Sequence, residues 1–453
     1  MAKWIACLLA VCMMSAVGCV RNTDPEDIGY EETLAAYADA EGTMFIGAHG
    51  APAATVEAYE QAREMGLTHI FTTDYGEDVL AAANASGIKL IAGMGNTLNT
   101  EHPFADWSTD FSEDKYRSVE MIDYFDEPYG SHFDTIAMWV DRHNEKYASS
   151  GGADPLFWVN LQPMDMHMED YPRSDEGYIA DYCQKVLSKI QGDKVLSFDL
   201  YAIRQLWRRD TETGTLVPEN YIAEEWLRSL ELVGRYGEQY GARTHAYLQT
   251  CGFYKPYENG WTCRRATEED LRMQAYVSMA FGVRNFSHFT YSTSGDLMNS
   301  HGYTQACIDL NGKPTDLYYG AKSVNEELLA LDPYLSCFTR TGTKTYAADG
   351  AVPAFDMLQY TADSLSALTD VSCTADTVIG QYRDEIRGKD ALIIANYTET
   401  TDVTADSVTL TLSDGGRGLA VFRRGEWSQA RAVNGKVTVD LAPGDGVFAV
   451  ILK

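Results

Sequence analysis

Ile122-Asp123-Tyr124-Phe125-Asp126-Glu127-Pro128 is an apolar strand-like run that meets a loop at an acidic pair. Comparable β-rich runs lie on both sides of it. Together they occupy residues 44–50, 68–75, 89–96, 121–127, 156–163, 195–201, 244–251 and 286–291. Amphipathic helical stretches separate them, with apolar stripes over 54–65, 133–147 and 221–240. Thr267-Glu268-Glu269-Asp270 is close to a capping box and opens a further helix that runs to Phe281. Strand and helix alternating eight times predict an α/β fold, a closed parallel (β/α)8 TIM barrel. The rival, a doubly wound open sheet, needs a Gly-rich phosphate loop after its first strand. Gly47-Ala48-His49-Gly50 does not fit that pattern.

From about residue 335 the texture changes to short alternating strands, at 391–397, 408–412, 418–422, 437–441 and 446–452, with Asn434-Gly435 as a hairpin signal. This predicts a C-terminal antiparallel β-sandwich of roughly a hundred residues. The expected organisation is a leader over 1–19, a tether over 20–40, a barrel over 41–334 and the sandwich over 335–453. The leader combines Lys3, an apolar run from Trp4 to Met14 and small residues before Cys19, which is a signal peptide too short to span as a membrane helix. Its ending, Ala16-Val17-Gly18-Cys19, resembles a lipoprotein processing site, in which Cys19 becomes the acylated first residue. The reading is of a protein exported and lipid-anchored at the bacterial cell envelope or surface.

A formal charge of −30 disfavours nucleic acid and anionic membrane surfaces, whose phosphates would be repelled. Neutral ligands such as sugars are not penalised. Beyond Cys19 there are Cys183, Cys251, Cys263, Cys307, Cys337 and Cys373, with no CxxC pair to suggest zinc. Cys251 and Cys263 flank one loop and are the candidate pair for a disulfide in an oxidising compartment, against free buried thiols. His49 stands alone and His167 lies in Met164-Asp165-Met166-His167-Met168, so no metal and no cofactor is expected. A GxSxG elbow is also missing.

In such a barrel the active site forms at the carboxyl ends of the strands. The polar and aromatic residues there are His49, Asp74, Asn96, Asp126 with Glu127, Asn160, Asp199 with Tyr201, Gln249, and Phe289 with Tyr291. A carboxylic acid partly desolvated by Tyr124 and Phe125 acquires the raised pKa of a general acid, and Glu127 is assigned that role. The plainer reading is that Asp126 and Glu127 only cap the next helix. Period two puts Ser197, Asp199 and Tyr201 on one face, so Asp199 is a sugar ligand or second carboxylate, or else an N-cap or a partner of Arg204. Sugars also need aromatic faces, for which Phe289, Tyr291, Phe253, Tyr254, Trp261 and Tyr129 are available. Phe422 and Trp427 read as sandwich core.

Asp126-Glu127-Pro128 resembles the Asn-Glu-Pro that carries the acid/base glutamate of clan A glycoside hydrolases. Val159-Asn160-Leu161, Ser197 through Tyr201, Arg265-Ala266-Thr267, Gln274-Ala275-Tyr276, Phe289-Thr290-Tyr291 and Asp309 through Thr315 resemble a group of gut and soil bacterial proteins described as β-galactosidase-like. The resemblance implies a glycosidase acting on an extracellular oligo- or polysaccharide, with Glu127 as acid/base, and His49, Asp74, Asn160, Tyr201, Gln249, Phe289 and Tyr291 around the sugar. One departure counts against it. Clan A enzymes carry a nucleophilic glutamate at the end of the seventh strand, where this chain has Gln249. Three explanations stay open: Asp199 is the second carboxylate, with a separation of about 5 to 5.5 Å for retention and more for inversion; the substrate's own 2-acetamido group reacts, oriented by Asp126 as in hexosaminidases, with Tyr201 assisting; or catalysis is lost. The last leaves a non-catalytic glycan-binding lipoprotein or a structural surface protein.

Overall fold

The computed structural model describes residues 28–93, 107–147, 155–163, 176–351, 357, 364–401, 404–413 and 415–453. The leader with Cys19, residues 20–27 of the tether, Asn96 and His167 lie outside the described residues. Eight parallel strands form one sheet: Ile46–Ala48, His69–Thr72, Lys89–Gly93, Val119–Asp126, Leu156–Leu161, Val195–Phe198, Arg243–Gln249 and Asn285–Phe289, the first to the eighth barrel strands. From the second strand onward each pairs with the next in this order, and the eighth pairs with the first. Thr68 N donates to Ile46 O at 2.8 Å across the remaining seam, which brings the first and second strands together. The fold is a (β/α)8 barrel followed by an antiparallel β-sandwich.

Helices follow the strands as the periodicity requires. Phe133–Tyr147 buries Phe133, Ile136, Ala137, Val140 and Tyr147 on one stripe. Glu268–Ala280 is opened by Thr267, whose hydroxyl accepts from Asp270 N while the Asp270 carboxylate accepts from Thr267 N, the reciprocal box expected. This helix is buried all round, because the barrel lies on one side and the sandwich on the other. Residues 221–240 divide differently from expectation. The helix is Trp226–Tyr240, and Leu216–Ile222 is a strand of a small antiparallel sheet with Ile203–Arg209 and Trp261–Cys263.

The sandwich joins a six-stranded sheet, Thr339–Tyr346, Thr377–Asp384, Lys389–Asn396, Gly446–Leu452, Gly418–Arg423 and Glu426–Arg431, to a three-stranded one, Leu368–Cys373, Ser407–Leu412 and Lys436–Asp440. Ile379, Leu392, Ile394, Val447 and Ala449 face the smaller sheet. Val378, Tyr382, Ile393, Phe448 and Val450 face the barrel. Asn434 and Gly435 both have positive φ, 54° and 76°, as a two-residue turn demands. The strands flanking that turn belong to different sheets, so it turns the chain across the sandwich instead of closing a hairpin within one sheet. Phe422 and Trp427 pack on one another and on Phe448, inside the core. The described cysteines are all free thiols, so the suggested Cys251–Cys263 bridge does not form; both are buried in one apolar cluster with Phe253.

Candidate active site

The barrel interior is layered. Phe45, Ile91, Met121, Trp158 and Val195 fill the floor. One step further along the strands the inward side chains turn polar, and at the carboxyl ends they become acidic. The fourth strand makes this change through an irregularity: Asp123 lies opposite Trp158 and Phe125 opposite Val159, so one extra residue is inserted at Tyr124. Tyr124 and Phe125 therefore both point outward, against Phe157 and Trp139, and Asp123 and Asp126 both point inward. Glu127 follows with φ 55°, a left-handed conformation uncommon for a glutamate, held by its N–H on Asn160 O at 2.8 Å. Tyr178, from the helix Glu176–Lys185, fixes the next turn by donating to Pro128 O at 2.6 Å.

Three carboxyl groups, Asp126, Glu127 and Asp199, meet at this mouth, and Asp123, opposite Trp158, lies deeper and adjoins Asp126. Burial, and then the charge of Asp126, raise Glu127 to about 7. Burial followed by the charges of Glu127 and Asp126 holds Asp199 well above the usual carboxylate range, and burial followed by Asp126 does the same for Asp123. Asp126 is raised by burial, opposed by the amide it accepts from. The Glu127 and Asp199 side chains act on each other directly, an interaction that raises Asp199 and lowers Glu127. Tyr201 donates to Asp199 Oδ2 at 3.3 Å. Asn160 donates its amide to Asp126 Oδ1 at 3.2 Å.

The remaining wall is aromatic. Tyr201, Phe253, Phe289 and Tyr303 stack around one side, with Tyr201 and Phe289 centroids 5.1 Å apart. On the other side His49 lies flat on Phe71, its centroid 4.0 Å away, and its Nε2 is 2.8 Å from Tyr247 Oη. Burial lowers His49 to about 4, so it is a neutral imidazole at physiological pH. Among the described residues no group of three or more His, Cys, Asp or Glu has the geometry to hold a metal ion.

Asp126, Glu127, Asp199, Asn160, Tyr201, His49 and Phe289 thus converge. Three of the expected ligands do not. Gln249 is fully buried: its Oε1 accepts from Ile203 N at 3.0 Å, and its Nε2 donates to Ile203 O and Arg264 O at 2.8 and 2.7 Å. All its polar capacity that matters ties the inserted sheet to the barrel, and nothing is left to face a sugar. Tyr291 is 1% exposed and buried toward Tyr318 and Cys307. Asp74 is exposed and accepts from Gly76 N at 2.9 Å, in the turn that leads into the helix Glu77–Ser86. Among the rim aromatics, Trp261 is occupied by the Arg204 guanidinium, 4.4 Å above its ring, and by the edge of Tyr254. Arg204 itself pairs with Glu225 at 2.6 Å and not with Asp199. Asp123, Tyr247, Ser197, His245 and Ser287 are site residues that the strand-end reading did not assign.

No protein-family model matches this chain, and no curated protein sequence does. Solved structures similar to it are glycoside hydrolases. A GH27 β-L-arabinopyranosidase from Geobacillus stearothermophilus has TM-score 0.44 at 10% identity, covering 92% of this chain and 97% of its own. A maltogenic α-amylase from Thermotoga neapolitana has TM-score 0.43 at 9% identity, with 90% and 99% covered. A GH30 endoxylanase from Clostridium papyrosolvens has TM-score 0.39 at 11% identity, with 91% and 97% covered. Likenesses this loose bear on neither substrate nor mechanism.

Proposed function

We propose that this protein is a glycoside hydrolase acting on an extracellular glycan, with Glu127 as general acid/base. The observation that carries the reading is the Glu127 carboxyl itself, raised to about 7 at the mouth of the barrel by burial and by the charge of Asp126. A carboxylic acid still protonated near neutrality is what a leaving-group oxygen requires.

The interaction between Glu127 and Asp199 also bears on the second group. A retaining pair stands about 5 to 5.5 Å apart across an anomeric carbon and acts as two separate groups, whereas these two side chains act on each other's proton. Asp199, the acid that this interaction keeps protonated, therefore binds the sugar, and the nucleophile comes from the substrate. In the proposed step the 2-acetamido oxygen bonds to the anomeric carbon as the bond to the glycosidic oxygen breaks. Glu127 gives its proton to that oxygen, and Asp126 accepts the acetamido N–H to orient it. Water then opens the cyclic intermediate, returning a proton to Glu127 with net retention.

The test is release of sugar from aryl β-galactosides, aryl β-N-acetylhexosaminides and gut glycans. Turnover should favour the acetamido sugars, fall on the alkaline side of about pH 7, and vanish in Glu127→Gln while glycan affinity stays. One observation favours a second reading, a glycan-binding protein without catalysis: the position of the usual nucleophile holds Gln249, committed to the backbone. Binding without turnover in both forms would select it. Export and lipid anchoring through Cys19 belong to the same proposal, and fatty-acid labelling that persists in Cys19→Ser would remove them.

A further inference from the structure

Beneath the acids runs a row of polar side chains that follows the register of the sheet. Asp126 lies opposite Asn160, Asn160 opposite Ser197, and Ser197 opposite His245. Their side chains are joined in sequence. Asn160 Nδ2 donates to Asp126 Oδ1 at 3.2 Å, and Ser197 Oγ donates to Asn160 Oδ1 at 2.8 Å. Ser197 Oγ lies 2.8 Å from His245 Nδ1, and His245 Nε2 lies 2.9 Å from Ser287 Oγ on the eighth strand. Asn160, Ser197, His245 and Ser287 are each at most 2% exposed, so water does not interrupt the chain.

Counting protons gives the chain a direction. The amide turns its N–H toward Asp126, so its oxygen is left for Ser197. A hydroxyl has one proton, and Ser197 has committed it to that oxygen, so the proton between Ser197 and His245 must come from Nδ1. Burial, followed by the neighbouring His49 and His69, keeps this imidazole neutral, and a neutral ring with Nδ1–H offers Nε2 as an acceptor for Ser287. Every donor then points toward Asp126. The ring cannot turn over easily: Phe45 stacks on it at 5.4 Å and 12°, and Trp158 and Tyr247 meet it edge-on at 4.7 and 5.1 Å. The opposite tautomer would draw the Ser197 proton to itself and release the Asn160 amide to present oxygen to a carboxylate.

We propose that His245 is a positioning residue: held between Ser197 and Ser287 as the Nδ1–H tautomer, it orients Asn160 through Ser197 so that Asp126 is the member of the acidic cluster held as a carboxylate. The groups that face Asp126 are Asp123 and Glu127 from its own strand, Asp199 and Tyr201 from the sixth strand and its exit, and Tyr247 from the seventh. None of these described neighbours is a cation, so the oriented dipoles of the chain are what favours charge there. The inference rests on the proposed acid/base reading only for its catalytic meaning; a charged Asp126 keeps the proton on its neighbours.

The experiment reads protons and not turnover, so it is separate from the fate of the glycosidase reading. In the full chain labelled with ¹⁵N-histidine, His245, assigned by its loss in His245→Gln, should be the neutral Nδ1–H tautomer at pH 8. The Nε2–H tautomer or an imidazolium overturns the proposal in the wild type itself, with no dependence on a variant folding. With ¹³C-labelled aspartate, assigned through Asp126→Asn, the Asp126 midpoint should rise by about one pH unit in Asn160→Leu. It should rise in the same direction in His245→Phe and stay in place in His245→Gln, whose amide still donates to Ser197. A midpoint indifferent to His245→Phe, whether or not Asn160→Leu moves it, would also overturn it.

Discussion

Replacing Glu127 by glutamine should make the protein more stable, and only at high pH. The folded chain holds Glu127 near 7, against 4.5 for the same group free in water. At about 1.4 kcal/mol per pH unit, ionising it in place costs roughly 3 kcal/mol. The unfolded chain has released this proton by pH 5, while the folded chain keeps it until about 7. This group's contribution to stability is therefore complete below about pH 4.5 and is lost as pH rises through 7. Glutamine has no proton to lose, and its amide can donate to Asp199. The variant and wild type should melt together at pH 4.5 and separate above 7. Taken over 453 residues at about 2 cal/mol/K each, a difference of roughly 3 kcal/mol raises Tm by about 3 to 4 °C. Differential scanning calorimetry between pH 4.5 and 8.5 is the assay. A Tm difference that does not change with pH, or a variant less stable than wild type at pH 8, would refute the view that a strained acid is stored at this position.

Gln249→Glu should create no nucleophile and should destabilise the protein by roughly 2 to 5 kcal/mol, because a carboxylate cannot donate to Ile203 O and Arg264 O; denaturant unfolding together with the glycoside panel checks both halves. Gly380→Ala would place a Cβ 2.3 Å from Ala280 O, where the sandwich rests on the barrel, and should lower stability by about 1 to 3 kcal/mol with little effect on the acidic cluster. Cys251 and Cys263 should both alkylate after denaturation without reductant, and neither before it, which mass spectrometry of the loop peptides would read. Tyr201→Phe should let the Asp199 carboxyl rise further and move the alkaline limb of turnover, since the phenol is a donor to its charged form.

The barrel was legible because its strands obey one rule, an apolar run closed by a polar residue, and because eight of them recur. The parts that escaped follow other rules. Ile203–Arg209 carries Arg204, Arg208 and Arg209 and lies half in solvent, so it has no apolar period; its partner Leu216–Ile222 merged into the start of the next helix for the same reason. In the sandwich, Thr339–Tyr346 alternates threonine with Arg, Gly and Lys, and Glu426–Arg431 is almost wholly outside, so neither announces itself by hydrophobicity. The five sandwich segments that were legible include the buried centre of the larger sheet, such as Gly446–Leu452, in which every residue is buried.

The site shows more closely where pattern reading stops. Period two assigns Asp123 to the face of Phe125 and Glu127, opposite Asp126, and on that arithmetic Asp123 and Asp126 cannot both enter the barrel. The inserted residue at Tyr124 changes the count, so that two aromatics leave together and two aspartates enter together. A bulge is a choice made by packing, here by Trp107, Trp139 and Phe157 taking Tyr124 and Phe125, and its position is not written in the spacing of the strand that bears it. Gln249 is the converse case. It ends a strand in register with its neighbours, as an active-site residue should, yet the chain from Ile203 and Arg264 crosses over it and takes its hydrogen bonds. What a strand-end residue does depends on the loop above it as much as on the strand beneath. The same argument identifies His245 and Ser197, which lie one layer too deep to be read as ligands. Their importance follows from the register that lines them up behind Asn160, and from the proton count that lets the row point only one way.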